Sequence, residues 1–212
     1  VASLVGYATY LVLGDSASTQ ATPVASRPIG EDLENALLAG GPPDLLKADS
    51  ILRSKEGEGA PEILLARVRE RTLSALDVSG DPAGIDTAVQ NAKNAGVPPG
   101  DVAFAELVSA ILRSDAGRAD QIADQHRADR SRDALFNLAL AVMAERRGDP
   151  VAQELLRTAL AVEPRLRPAS VRLARWLILH GDAIEARKVV DTLPERDPSR
   201  KALDALAATK SW

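Results

Sequence analysis

Four short turns of similar sequence recur along the chain at a nearly constant interval. Each has Gly or Ser, then Asp, then Pro or Ala: Gly80-Asp81-Pro82, Ser114-Asp115-Ala116, Gly148-Asp149-Pro150 and Gly181-Asp182-Ala183. Successive Asp residues are 34, 34 and 33 positions apart. This period, with a helical segment on each side of the turn, is typical of helical-hairpin repeats. The sequence therefore predicts an all-α fold with repeats over 61–212.

Composition supports helices and excludes several kinds of site. Aromatic residues make up only 3% of the chain, so the core must consist mainly of Ala, Leu, Val and Ile, of which Ala and Leu favour helices. The net charge of −4 provides no basic surface for nucleic acid. There is no Cys, which excludes disulfides, thiolate nucleophiles and Cys-based zinc sites.

Apolar spacing, together with Pro and Gly boundaries, predicts the helices individually. They are expected at 31–39, 44–55, 61–77, 85–95, 101–113, 117–127, 132–147, 151–162, 169–180, 183–192 and 198–208. The first two form an N-terminal cap over 30–60, and the last is a C-terminal capping helix with a solvated outer face. The four Asp residues of the turns precede second helices, so their carboxylates are expected to cap free N–H groups. The alternative is a row of metal ligands.

The last two hairpins resemble the tetratricopeptide repeat, a 34-residue unit of two antiparallel helices. The residues that carry the resemblance are Ala174, Leu177, Gly181, Ala186 and Pro198 in the fourth hairpin and Ala152, Leu156, Ala159 and Pro164 in the third. The sequence departs from the motif at Ser170, where an aromatic residue is usual, and at Ser131, where Pro is usual. The resemblance implies a right-handed α-solenoid whose first helices line a concave groove.

The same resemblance implies a non-catalytic scaffold that binds a peptide or helix of a protein partner. Alignment of the hairpins suggests Leu140, Met143, Val171, Arg175 and Ile178 as binding residues. Arg172 is added from a cluster at a helix start, Arg165, Arg167, Arg172 and Arg175, which is either plain surface charge or a docking site for an acidic segment of a partner. A rotation of the first helices by one residue would instead bury Phe104 and Phe136 in the core. Arg175 separates the two cases, because an unpaired Arg is costly to bury. A second interpretation is a structural subunit packed permanently into a larger complex.

No pattern indicates an enzyme, a cofactor or a small-molecule substrate. The chain has no phosphate-binding glycine loop with a Lys, no two-His metal helix and no calcium loop. His180 at a helix end and His126 in a charged helical run are both interpreted as structural residues. The expected partners are therefore proteins.

The N-terminal residues differ in composition from the rest of the chain. Residues 1–14 are apolar and uncharged, and 15–29 are rich in Ser, Thr, Ala and Pro, as in a flexible linker. The first segment is interpreted as part of a membrane anchor, with a buried strand or helix and a cleaved targeting segment as alternatives. Abundant Arg and Ala suggest a bacterial source. The expected location is therefore the bacterial inner membrane with a periplasmic helical domain, and the alternative is the cytoplasm.

Overall fold

The computed structural model describes residues 30–55, 57 and 59–210, and these residues are helical apart from short connections. The predicted all-α fold is confirmed, and the predicted bounds of three helices agree residue for residue. The helices are α1 Glu31–Ala39, α2 Pro42–Ser54, α3 Pro61–Ser74, α4 Pro82–Asn94, α5 Pro99–Leu112, α6 Ala116–His126, α7 Ala134–Arg147, α8 Val151–Val162, α9 Arg167–Leu179, α10 Ala183–Thr192 and α11 Pro198–Lys210.

The recurring Asp residues cap the second helices of the hairpins, as the sequence predicted. In each turn the carboxylate accepts a hydrogen bond from a backbone N–H in the first turn of the following helix. The N···O distances are 3.0 Å for Asp81 and Ala83, 3.0 Å for Asp115 and Arg118, 2.9 Å for Asp149 and Val151, and 3.1 Å for Asp182 and Glu185. The repeat in the sequence is therefore a repeat of helix N-termini.

The third helix ends in a different conformation from the one predicted. The expected helix over 61–77 is α-helical only to Ser74 and continues as a π-helical turn, Ala75–Ser79. Gly80 ends the turn in the left-handed conformation, with φ of 58°, which Gly adopts without steric cost. This π turn brings the backbone of Leu76 to the surface of α9, as described below.

Consecutive helices pack as antiparallel hairpins around one main core. The core extends from Leu45 in α2 to Leu203 in α11. Helices α5 and α7 are buried on almost every side, and both Phe104 and Phe136 lie inside. Small residues such as Ala174 are fully buried in this core, where they allow neighbouring helices to approach closely.

The N-terminal helices return to the C-terminal half of the chain. Helix α1 contacts both α3 and α9, so the described helices form a closed circuit of contacts. Gly40, between α1 and α2, lies directly against the ring of Pro168 at the start of α9. Helices α1 and α2 also have a small core of their own around Leu33 and Leu52, together with Ala66 of α3.

The predictions for 1–14 and 15–29 concern residues outside the described part of the chain. Among the helices of 30–55 and 59–210, none is long and apolar enough to cross a membrane. The predicted boundary between the cap over 30–60 and the repeats over 61–212 stays a prediction.

Candidate protein-interaction site

Helix α9 positions the best-defined candidate site. Pro168 occupies one of its first positions, where the missing N–H costs nothing. One face of the helix, with Leu173 and Leu177, enters the main core. The opposite side carries Val171, Arg172 and Arg175, because positions three and four apart share a face of a helix.

A small groove lies between this side of α9 and the π turn. It has a volume of about 190 Å³, and we call it the α9 groove. Its lining consists of Leu73, Leu76, Asp77, Arg167, Pro168, Val171, Arg172 and Arg175. The groove thus combines apolar side chains with three guanidinium groups and one carboxylate, that of Asp77.

Two of these three Arg residues already have acceptors. Arg172 Nη1 donates to Glu145 Oε2 at 2.7 Å, and its Nη2 donates to the carbonyl oxygen of Leu76 at 3.4 Å. Arg167 forms a bidentate pair with Asp197 and also donates to Ser199 Oγ at 2.8 Å. These two side chains therefore hold α7, α9, α11 and the π turn together.

Arg175 differs from its neighbours. Its side chain is exposed, and within the described ranges it has no hydrogen-bond or ion-pair partner. An exposed guanidinium of this kind keeps all five of its N–H donors available for a ligand. Arg175 is therefore the side chain of the α9 groove best suited to bind an anionic group of another molecule.

The other predicted binding residues lie elsewhere. Leu140 and Ile178 are in the main core, 3% and 4% exposed. Met143 is 9% exposed and lines a different cavity, of about 380 Å³, between the second and third hairpins. The structure thus brings together Val171, Arg172 and Arg175 at one groove and does not bring the other three to it. Their role in binding stays a prediction.

Sequence reasoning did not include the π turn in the site. Leu76 and Arg172 are 96 positions apart, so their contact crosses several repeats and leaves no trace in a 34-residue period. In the sequence, Leu73 and Leu76 are recognisable only as apolar positions of the helix expected over 61–77. No pattern in the sequence marks Asp77 as a site residue.

Both His side chains pack against aromatic rings of the fold. The His180 ring stacks on Trp176, with ring centroids 4.0 Å apart, and its Nδ1 lies 2.8 Å from the Trp176 carbonyl oxygen. His126 meets the Phe136 ring edge-on. Within the described part of the chain, no group of three or more His, Asp or Glu side chains could hold a metal ion.

Comparison with known proteins confirms the resemblance at the C-terminal end. Residues 151–209, from α8 to α11, match the family model of the tetratricopeptide repeat. This tetratricopeptide-repeat match implies a protein–protein interaction scaffold. No curated protein and no solved structure matches the chain significantly.

Proposed function

We propose that this protein is a non-catalytic scaffold that binds an acidic helix of a partner protein at the α9 groove. The observation that carries the proposal is Arg175, an exposed guanidinium without a partner in the described residues, beside a groove with apolar side chains. As part of the proposal, the hairpins stack with the right-handed sense that is usual for tetratricopeptide repeats.

The chemistry of the groove indicates the kind of partner. Leu76 and Val171 are partly exposed and offer apolar contact, and Arg175 offers a charge-assisted hydrogen bond. An amphipathic helix with one acidic residue beside its apolar face would satisfy both. Arg172 contributes less, because Glu145 already neutralises its charge.

The experiment is a charge reversal at Arg175 with a matched control. The Arg175→Glu variant should bind the partner about 1–3 kcal/mol more weakly, as expected for the loss of a charge-assisted hydrogen bond. Because the side chain is exposed, the melting temperature should not change. Arg132→Glu is the control, since Arg132 is also exposed and lies between α6 and α7, away from the groove.

The partner is first identified by co-purification with the wild-type protein, and its affinity is then measured by calorimetric titration. Equal affinity of the wild-type and Arg175→Glu proteins would remove Arg175 from the site. A loss of folding in Arg175→Glu would instead assign Arg175 a structural role.

One observation favours the structural-subunit interpretation as a second candidate. Val151, Leu179 and Ile184 are exposed apolar residues that flank the turns of the third and fourth hairpins. Exposed apolar patches often mark interfaces. In a permanent complex, the Leu179→Ser and Ile184→Ser changes together should release the subunit during gel filtration, whereas Arg175→Glu should not.

The proposal for the N-terminal residues rests on sequence alone. We propose that 1–14 attach the protein to a membrane, with the helical domain on the periplasmic side, because this segment is uncharged and a polar linker follows it. The intact protein should then sediment with membranes, and protease should digest the domain only after the outer envelope is opened. Recovery of the full-length protein in the cytoplasmic fraction would contradict this.

A further inference from the structure

A second and larger cleft lies where three separate segments meet. These are the turn between α1 and α2, the start of α9, and the connection from α10 to α11. The cleft has a volume of about 540 Å³, within the range of about 300–1,000 Å³ that is usual for ligand sites. We call it the proline cleft, because Pro43, Pro164, Pro194 and Pro198 line it.

The walls of the proline cleft are held rigidly. Each Pro restricts its own backbone, so the cleft loses little conformational freedom when it binds a ligand. The bidentate pair of Arg167 with Asp197 joins α9 to the start of α11. On the other side, Gly40 lies in close contact with Pro168, which joins the α1–α2 turn to α9. The cleft is therefore preformed.

The charges of the proline cleft are unevenly compensated. Its lining carries Arg165, Arg167 and Arg196 against Asp44 and Asp197, whereas the whole chain has a net charge of −4. Asp197 compensates Arg167. This leaves Arg165 and Arg196 against the single carboxylate of Asp44, so the cleft keeps an excess of one positive charge.

Arg165 and Arg196 are both exposed. Arg165 has weak partners: its Nε lies 3.3 Å from Glu163 Oε1, and its Nη1 donates to Asn35 Oδ1 at 3.2 Å. Arg196 has no hydrogen-bond or ion-pair partner in the parts of the chain described by the structure. Both groups can therefore bind a carboxylate without breaking a buried ion pair.

We propose that the proline cleft binds a short, extended acidic peptide segment of a partner protein. Two carboxylates of the segment pair with Arg165 and Arg196, and its aliphatic atoms lie against the Pro rings. A small inorganic anion would use the guanidinium groups but leave the apolar walls without contact. The segment is additional to the helix at the α9 groove, and this proposal does not require the α9 groove to be occupied.

The test uses defined peptides. Fluorescein-labelled hexaglutamate is titrated with the full chain at low ionic strength, and binding is followed by fluorescence anisotropy, with labelled hexaglutamine as the uncharged comparison. Arg196→Glu should weaken the binding of hexaglutamate by about tenfold or more. Arg165→Gln should weaken it to a smaller degree, and the exposed control Arg132→Glu should leave it unchanged. Circular dichroism establishes that each variant is folded.

Three results would overturn the proposal. The first is equal binding of hexaglutamate and hexaglutamine by the wild-type protein. The second is an equal effect of Arg196→Glu and Arg132→Glu. The third is displacement of hexaglutamate by inorganic phosphate at a similar concentration, which would indicate a simple anion site.

The α9 groove is distinguished by its own variant. If Arg175→Glu abolishes the binding of hexaglutamate and Arg196→Glu does not, the peptide occupies the α9 groove. That outcome would refute the proline cleft as a peptide site and leave the proposed function intact. If Arg196→Glu acts and Arg175→Glu does not, the cleft is supported independently of the groove.

Discussion

Breaking the ion pair between Arg167 and Asp197 by removing one partner should be among the most destabilising single changes in the C-terminal half. Their side chains are only 10% and 3% exposed. Replacement of Asp197 by Ala would leave the Arg167 guanidinium buried without its carboxylate. Removal of one partner from a buried pair typically costs about 3–5 kcal/mol. For a chain of this size, such a loss lowers Tm by about 6–20 °C.

Asp197 has a second role, for which the chain provides a matched control. Its carboxylate accepts a hydrogen bond from the Ser199 backbone N–H at 2.8 Å, near the start of α11. Asp182 caps α10 in a similar way, but it is exposed and forms no buried pair. Asp182→Ala should therefore cost about 1 kcal/mol, as for the loss of an ordinary cap. The difference between the two variants measures the cost of leaving the buried Arg167 guanidinium without its carboxylate.

Urea denaturation followed by circular dichroism provides both free energies of unfolding. The double variant Arg167→Met/Asp197→Leu should recover most of the loss, because it leaves no unpaired buried charge. The reasoning would be refuted if Asp197→Ala cost no more than Asp182→Ala.

The same pair should affect the acid stability of the protein. Although burial raises it, hydrogen bonds from Arg167 and Ser199 hold the pKa of Asp197 below its ordinary value. Near and below that ordinary value the unfolded state therefore binds more protons than the folded state. The stabilisation is complete above the unfolded pKa and is lost as the pH falls through the lower folded pKa. As the pH is lowered, the free energy of unfolding should accordingly decrease less in Asp197→Asn than in the wild type.

Two further substitutions test the packing. Gly40→Ala should be more destabilising than Gly80→Ala in urea denaturation. Both residues have φ near +55 to +58°, where an Ala side chain costs roughly 1–2 kcal/mol. Only at Gly40 would the new Cβ also lie 2.6 Å from Pro168 Cγ. Equal losses would show that the α1–α9 contact contributes little. Ala174→Leu should lower the free energy of unfolding by about 1–3 kcal/mol, because Ala174 is fully buried in the main core; an unchanged Tm would contradict close packing there.

The positions of the helices were predictable from the sequence because local interactions determine them. An Asp before a helix satisfies free N–H groups, and a Gly or Pro ends or begins a helix, whatever lies elsewhere in the fold. The predicted bounds of α1, α8 and α10 therefore agree with the structure residue for residue. The 34-residue period likewise predicted the hairpins, and the family match over 151–209 confirmed the resemblance.

The orientation of the central helices was not predictable in this way. Residues Phe136 to Ala144 of α7 are all buried, so no polar face indicates which side lies towards a groove. Periodicity alone could therefore not decide whether Leu140 and Met143 face the core or a partner.

Only the tertiary structure determines which Arg side chains remain available to bind a ligand. The sequence presents Arg165, Arg167, Arg172 and Arg175 as one cluster. In the fold, Asp197 neutralises Arg167, and Glu145 neutralises Arg172, while Arg175 stays exposed. These acceptors are about 30 positions away along the chain, and the contact of Arg172 with Leu76 crosses 96. Such pairings depend on how the helices pack against one another, because no local interaction brings the partners together.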